Sequence, residues 1–215
     1  MPTQALRVGG FTRMTTIDYP DHLAAVVFCQ GCPLRCHYCH NPELLPRRTD
    51  EPLAWSGILD FLAARRGLLD AVVFSGGEPT LQRSLVQAVT EVKAMGYLIG
   101  LHTAGIYPER LQRLLPLVDW VGLDIKALAQ DYPPLTGVPC GGESAWRSAR
   151  LLVASGVPHE IRTTLYPAID NEDYRNRLRG ALAALGEHTH IWQPCREPPG
   201  NQPDHGRSKN QISFY

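Results

Sequence analysis

Six short apolar runs, separated by stretches of helical periodicity, are the feature that most narrows what this chain can fold into. The runs at 23–28, 70–77, 97–105, 119–127, 158–167 and 189–194 read as strands, and the patterns at 56–67, 81–96, 108–118, 144–156 and 170–186 read as helices. In the second helix Leu85, Val89 and Val92 share one stripe and Gly96 is the expected stop. Pro108 opens the third helix, and Pro116 must end or kink it. Strands alternating with helices imply a parallel sheet wound by right-handed crossovers, either open or curved into a barrel. Both architectures place their sites at the carboxyl ends of the strands. Chemistry-bearing residues should therefore cluster where the runs end.

Length and charge set further limits. The chain has 215 residues, which suits one domain, expected over residues 1–196. Residues 197–215 are polar, with proline and glycine and no period, and read as a weakly structured tail. Twenty-one basic side chains balance 21 acidic ones, so nothing asks for nucleic acid or anionic lipid as a bulk partner. The longest strictly apolar run, at 23–29, is far below the ~20 residues needed to span a bilayer. With no apolar leader at the N-terminus, a cytoplasmic protein is expected.

Four of the six cysteines, Cys29, Cys32, Cys36 and Cys39, follow directly on the first strand. Such crowding is poor for loop-closing disulfides and good for metal ligation. A zinc ion would need four ligands, drawn from these thiols with His37 or His40. The three-residue gap between the two cysteine pairs is short for a two-knuckle zinc ribbon. An iron–sulfur cube can instead take closely spaced thiolates from one looping segment. Cys32, Cys36 and Cys39 form C-x3-C-x2-C, and three thiolates on a four-iron cube leave one iron open to a substrate.

Four further motifs sit where strands should end. In SGGEP (75–79) the glycines allow close backbone approach to a ligand, and Glu78 offers a carboxylate; a plain turn with Pro79 starting a helix explains the same residues. In DWVGLDIKA (119–127) alternation puts Trp120, Gly122, Asp124 and Lys126 on one face and Val121, Leu123 and Ile125 on the helix-packed other. Asp124 and Lys126 bring an acid and a base to the strand end, as a structural ion pair at a barrel mouth also would. In EIRTTLYP (160–167) Glu160, Arg162 and Thr164 share a face, and Arg162 is either a carboxylate-binding fork or a paired interior arginine. LHTAG (101–105) ends the third strand. Cys140 and Cys195 read as small hydrophobes, Trp146 and Trp192 as packing residues, and His159, His188 and His190 as structural or exposed.

Cys32, Cys36, Tyr38 and Cys39 spell C-x3-C-x-Φ-C, with Tyr38 as the aromatic, which resembles the signature of radical S-adenosylmethionine (SAM) enzymes. CHNP (39–42) and IDYP (17–20) are similar to glycyl-radical activating enzymes, specifically the activating protein of anaerobic ribonucleoside-triphosphate reductase, over about residues 8–195. The resemblance implies an incomplete (β/α)6 TIM-like barrel of the radical SAM type. Within it Cys32, Cys36 and Cys39 hold a [4Fe–4S] cluster and Cys29 is a bystander. Gly76, Gly77 and Glu78 lie at the SAM amino group, Asp124 and Lys126 beside its carboxylate and ribose, and Tyr38 at the adenine. Arg162 with Pro167 fits the family's Arg-x4-Pro pattern. At 102–105 the family more commonly carries Asp-Thr-Asn-Gly; Thr103 and Gly105 match, His102 and Ala104 do not, and no cation site is carried over.

The implied reaction takes one electron from a flavodoxin- or ferredoxin-type reductant and cleaves SAM to methionine and a 5′-deoxyadenosyl radical. That radical then takes a hydrogen from a glycine Cα on a partner, the catalytic subunit of anaerobic ribonucleotide reductase. No acid–base residue is implied beyond the cluster and SAM. An incomplete barrel leaves a lateral opening suited to a macromolecule, with Asp18, His40 and Asn41 expected along it. Two other classes remain at this point: a radical SAM enzyme acting on a small molecule, like 7-carboxy-7-deazaguanine synthase, and a non-catalytic zinc-binding module.

Overall fold

The computed structural model describes residues 5–187 and 189–195. The expected tail at 197–215 and His188 lie outside these residues. One sheet holds seven strands in the order β1-β2-β3-β4-β5-β6-β7. They are β1 (Val8–Thr15), β2 (Ala24–Cys29), β3 (Ala71–Gly76), β4 (Leu98–Thr103), β5 (Trp120–Asp124), β6 (His159–Leu165) and β7 (Ile191–Pro194). Strands β2 to β7 are parallel, and β1 runs antiparallel to β2. Helices α1 (Trp55–Ala63), α2 (Leu85–Ala94), α3 (Pro108–Leu114), α4 (Tyr132–Thr136), α5 (Gly141–Ser155) and α6 (Glu172–Ala183) lie in the connections. No described helix is long and apolar enough to cross a membrane.

The two faces of the sheet follow from strand alternation. Ala25, Val27, Val72, Phe74, Ile99, Leu101, Val121, Leu123 and Ile161 face the helices and form the main core. Ala24, Val26, Phe28, Ala71, Val73 and Trp120 face the barrel interior. Central strands buried on both sides read as continuous apolar runs, and β2 is buried along its whole length. Tyr19 enters the interior from the β1–β2 connection, against Trp120 at 5.6 Å between ring centroids, and closes the floor. Gly100 makes room for it, since a Cβ there would lie 3.0 Å from both the Tyr19 ring and Val73.

Four elements depart from the sequence expectation. Strand β1 has two adjacent glycines and an exposed outer face, with Met14 64% exposed, so it carries neither a continuous apolar run nor clean alternation. Its pairing with β2 supplies its stability: Gly10 opposes Phe28 and Thr12 opposes Val26. Residues 131–143, expected to be irregular, contain α4, whose prolines fall in the first turn, where no backbone donor is needed. Gly137 ends it at φ 69°. Helix α2 begins at Leu85 rather than residue 81, because Pro79–Leu81 forms a separate tight turn and Gln82 is extended. The Gln82 amide then bridges Arg7 and Gln30. Helix α3 stops at Leu114, two residues before Pro116.

Close packing at the start of α5 gives a stability test. A Cβ on Gly142 would overlap the carbonyl oxygen of Ala129 and lie 2.7 Å from that residue's C and Cα atoms. Gly142→Ala should therefore destabilise the protein by about 1–3 kcal/mol, despite the better helix propensity of alanine. Gly180 in α6 has nothing within 4 Å of such a Cβ. Gly180→Ala should stabilise by about 0.5–1 kcal/mol. Urea denaturation of the two variants checks both signs.

Candidate active site

The carboxyl ends of the parallel strands enclose a cavity of about 210 Å³. Its position depends on the junction of β2 and β3. Cys29 pairs with Gly76 in register, Gly77 N donates to Cys29 O at 3.0 Å, and Glu78 N donates to Gly31 O at 3.0 Å. Side chains would not fit here: a Cβ on Gly77 would sit 2.5 Å from Gly31 O, and one on Gly76, where φ is 112°, 2.5 Å from Cys29 N. The loop after β2 is tied down by Gly31 N to Leu44 O at 2.8 Å, Cys32 N to Leu45 O at 3.1 Å and Arg35 N to Thr136 O at 2.7 Å. The Arg35 guanidinium also donates to Cys32 O and Leu34 O, each at 2.8 Å.

That loop brings Cys32, Cys36 and Cys39 to the cavity wall, while Cys29 is fully buried at the end of β2 and is not part of it. Burial, reinforced by Glu78, pushes the Cys32 thiol up to about 12, and burial raises Cys36. Both thiols are neutral until something positively charged binds them. Among the described residues no three His, Cys, Asp or Glu side chains converge tightly enough for a single metal ion. The thiols instead border a space that suits a larger group.

Across the cavity, Asp124 on β5 is opposite Arg162 on β6 in register, and Arg162 Nε donates to Asp124 Oδ1 at 3.1 Å. Lys126 Nζ lies 3.9 Å from Asp124 Oδ2. The absence of a side chain at Gly122 admits the guanidinium, because a Cβ there would be 2.7 Å from Arg162 Nη2. Burial alone would raise the Asp124 carboxyl, but Arg162 and Lys126 hold it below its ordinary value. Burial also opposes the Lys126 charge, yet Tyr38, Cys36 and Asp124 carry it well above its ordinary value. The backbone beneath Lys126 is fixed by aromatic groups: Tyr132 Oη accepts from Lys126 N, Tyr174 Oη from Leu128 N, and Trp146 Nε1 donates to Ala127 O.

Tyr38, Gly76, Gly77 and Thr103 also line the cavity, as do Asp18, His40 and Asn41. Glu78 does not. It is fully buried behind the wall, where its carboxylate accepts from Thr80 N at 3.0 Å, Thr103 Oγ1 at 2.7 Å and Ala104 N at 2.9 Å. It locks the turn after β3 to the end of β4. Ser75, Thr164 and Gln193 complete the polar lining. Of these, Gln193 had only its place in the alternation of the last strand as a signal.

His102 lines the cavity too and links three segments. Its Nε2 is 3.0 Å from Asp18 O, and its Nδ1 is 3.4 Å from Ser75 Oγ. A carbonyl can only accept, so Nε2 carries the proton and Nδ1 accepts from the serine. Burial, with Arg162 nearby, pushes its pKa down to about 3. Outside the site, Cys140 is exposed at the N-cap of α5, contrary to the expectation of a buried hydrophobe. His159 pairs with Glu187 at 2.9 Å, and His190 accepts or donates at Thr163 Oγ1 at 2.8 Å.

Residues 26–179 match the family described as the Radical SAM superfamily. The chain belongs to the radical SAM superfamily. A Methanocaldococcus jannaschii protein named as a candidate glycyl-radical enzyme activating enzyme is 32% identical over 177 residues, covering 77% of this chain and 71% of that one. The pyruvate formate-lyase-activating enzyme of Streptococcus mutans is 32% identical over 172 residues, covering 74% and 64%. Streptococcus suis SuiB bound to S-adenosylmethionine shares the fold at a TM-score of 0.64 and 15% identity, over 80% of this chain and 40% of SuiB.

Radical SAM enzymes use a [4Fe–4S] cluster and SAM. The residues present fit those groups. Three thiols share one cavity wall, and a carboxylate and two cations face them. Tyr38 is buried there with a hydroxyl that has no hydrogen-bond partner among the described residues. An orphaned buried donor of that kind costs about 1–3 kcal/mol until something meets it.

Tyr38→Phe should accordingly raise the stability of the cofactor-free protein by about 1 kcal/mol while weakening SAM binding to the cluster-loaded protein. Thermal melts and SAM titration read the two effects separately. His102 gives a pH test. Unfolded, its imidazole takes a proton near 6.5; folded, only near about 3. The unfolded state therefore binds more protons between those values, and stability falls as pH drops below 6.5. The slope is at most about 1.4 kcal/mol per pH unit per histidine. His190, pushed down by burial to about 4, adds its own share. His102→Gln should flatten this slope between pH 6 and about 4, as read from urea midpoints.

Proposed function

We propose that this chain is a glycyl-radical activating enzyme. The observation that carries the reading is the meeting of Cys32, Cys36 and Cys39 with Asp124, Lys126 and Arg162 in one cavity at the strand ends. When bound, the cluster and SAM supply one-electron cleavage of a sulfonium and the hydrogen-atom abstraction that follows it. Cys32, Cys36 and Cys39 would hold the cluster through their thiolates. Cys29 takes no part.

The remaining residues hold and orient SAM. Arg162 and Lys126 offer the positive charge that a carboxylate needs, and Asp124 keeps both charged and aligned. Gly76, Gly77 and Thr103 line the cavity and would hold the methionyl end, and Tyr38 would meet the adenine. Glu78 acts from behind, holding Thr103 and the turn in place. Two features keep water out: the buried Tyr19 closes the floor, and the hydrogen-bonded loop 30–45 covers one side.

The names of the relatives support a protein substrate. The finer proposal is the catalytic subunit of anaerobic ribonucleoside-triphosphate reductase, on the strength of IDYP and CHNP. Both motifs reach the cavity, through Asp18 and through Cys39, His40 and Asn41. A cytoplasmic setting and a flavodoxin- or ferredoxin-type reductant go with this reading.

Anaerobic reconstitution with iron and sulfide, reduction and SAM addition should yield methionine and 5′-deoxyadenosine. Cys32→Ala, Cys36→Ala and Cys39→Ala should each abolish both products, and Cys29→Ala should retain them. Zinc without iron and sulfide in the anaerobically purified protein would sink the reading. Electron paramagnetic resonance with anaerobic ribonucleotide reductase and pyruvate formate-lyase in parallel then identifies the partner: the glycyl radical is expected on the reductase.

A further inference from the structure

On the outer side of the barrel, a groove of about 490 Å³ runs between the turn at Pro79–Leu81, the start of α2, and α3. Three arginines line it: Arg83, Arg110 and Arg113. Arg110 is fixed, donating to Thr80 O at 2.8 Å and Leu81 O at 2.5 Å and stacking over Tyr107 at 4.4 Å. Arg83 and Arg113 are exposed and form no ion pair with any described residue. The one acid in the lining, Glu109, is engaged by Arg147 at 2.5 Å. In a chain with equal numbers of acidic and basic residues, this is a local concentration of positive charge.

Its position gives the charge a use. The Tyr107 ring that lines the groove also packs on the group formed by Cys32, Leu34, Ala104 and Ile106. Cys32 lines the cavity and Tyr107 does not, and the two linings share no residue. The groove thus backs onto the segment assigned to the cluster without opening into the space assigned to SAM.

We propose that this groove is the docking surface for an acidic one-electron carrier protein that reduces the cluster. The proposal rests on the cluster reading above. One electron leaves the carrier, which is oxidised by one, and enters the cluster, which is reduced by one; no bond forms or breaks. The exposed guanidinium groups of Arg83 and Arg113 steer the acidic face, and the Arg110–Tyr107 stack provides a fixed contact against the group that contains Cys32.

The test uses the reconstituted enzyme with the paired substitution Arg83→Glu and Arg113→Glu, and with Arg66→Glu as a control at the opposite end of the barrel. Both substituted sites are exposed, so the fold should persist; circular dichroism verifies this. Titration with oxidised flavodoxin, and separately with oxidised ferredoxin, should show binding at low salt that weakens steeply as salt rises. The groove variant should bind roughly tenfold more weakly, with a flatter salt dependence. Its SAM cleavage driven by the reduced carrier should slow in proportion, while cleavage driven by dithionite stays at the wild-type rate. Wild-type carrier affinity and salt slope in the groove variant would overturn the proposal. So would a groove that takes up a small anion such as citrate and neither carrier. Failure of wild-type SAM cleavage with dithionite would instead overturn the radical SAM reading, so the two failures are distinct.

Discussion

Everything at the mouth of this barrel depends on a backbone-to-backbone contact between the ends of β2 and β3. Cys29 and Gly76 are in register, and the next two amides of the β3 turn donate to Cys29 O and Gly31 O. No side chain fits between them, so the two glycines are required by the junction before any ligand is considered. The consequence is directional. Once Gly31 is fixed, the chain that leaves β2 must cross the strand ends, and Cys32, Cys36 and Cys39 are carried to the cavity rather than out to solvent. Glu78 completes the junction from beneath, where four donors from Thr80, Thr103 and Ala104 compensate a fully buried carboxylate.

The cavity's charge pattern follows from the same economy of burial. A buried carboxylate is tolerable only with partners, and Asp124 has two, both cationic. That leaves an excess of positive charge on one wall, facing the thiols on the other. His102 does not add to it: its own burial and the nearby Arg162 guanidinium keep it neutral. The site is therefore organised to receive an anionic group at one end and a thiolate-binding cation at the other. A sulfur-ligated iron group beside an amino-acid carboxylate meets both demands at once.

Much of the fold is legible in the sequence, because the central strands are buried on both faces and their apolar runs are unbroken. Strand β1 is not, since Gly9 and Gly10 remove the signal and its exposed end breaks the apolar alternation. Helix α4 is hidden for a related reason: Tyr-Pro-Pro reads as a breaker, and only its position in a first turn makes it compatible with a helix. The gathering of site residues is legible where strand alternation fixes a face, as for Asp124 and Arg162. It is not legible for Glu78, because a carboxylate on a turn can point either way. Nor is it legible for Gly122, whose role is the room it leaves for the Arg162 guanidinium three-dimensionally beside it.

The two proposed partners make different demands on one small barrel, and the packing separates them. A glycine-bearing segment needs the cavity, bordered by Asp18, His40, Asn41 and Gln193. An electron carrier needs only proximity to the cluster. If both used the mouth, each turnover would require one to leave before the other arrived. Tyr107 removes that conflict by packing on the group formed by Cys32, Leu34, Ala104 and Ile106 while lining the outer groove. Charge strengthens the separation: the groove presents arginines in excess, whereas the cavity's cations are already held by Asp124. An acidic carrier is therefore drawn to the outside of the barrel, and the mouth is left to the segment on which the chemistry acts.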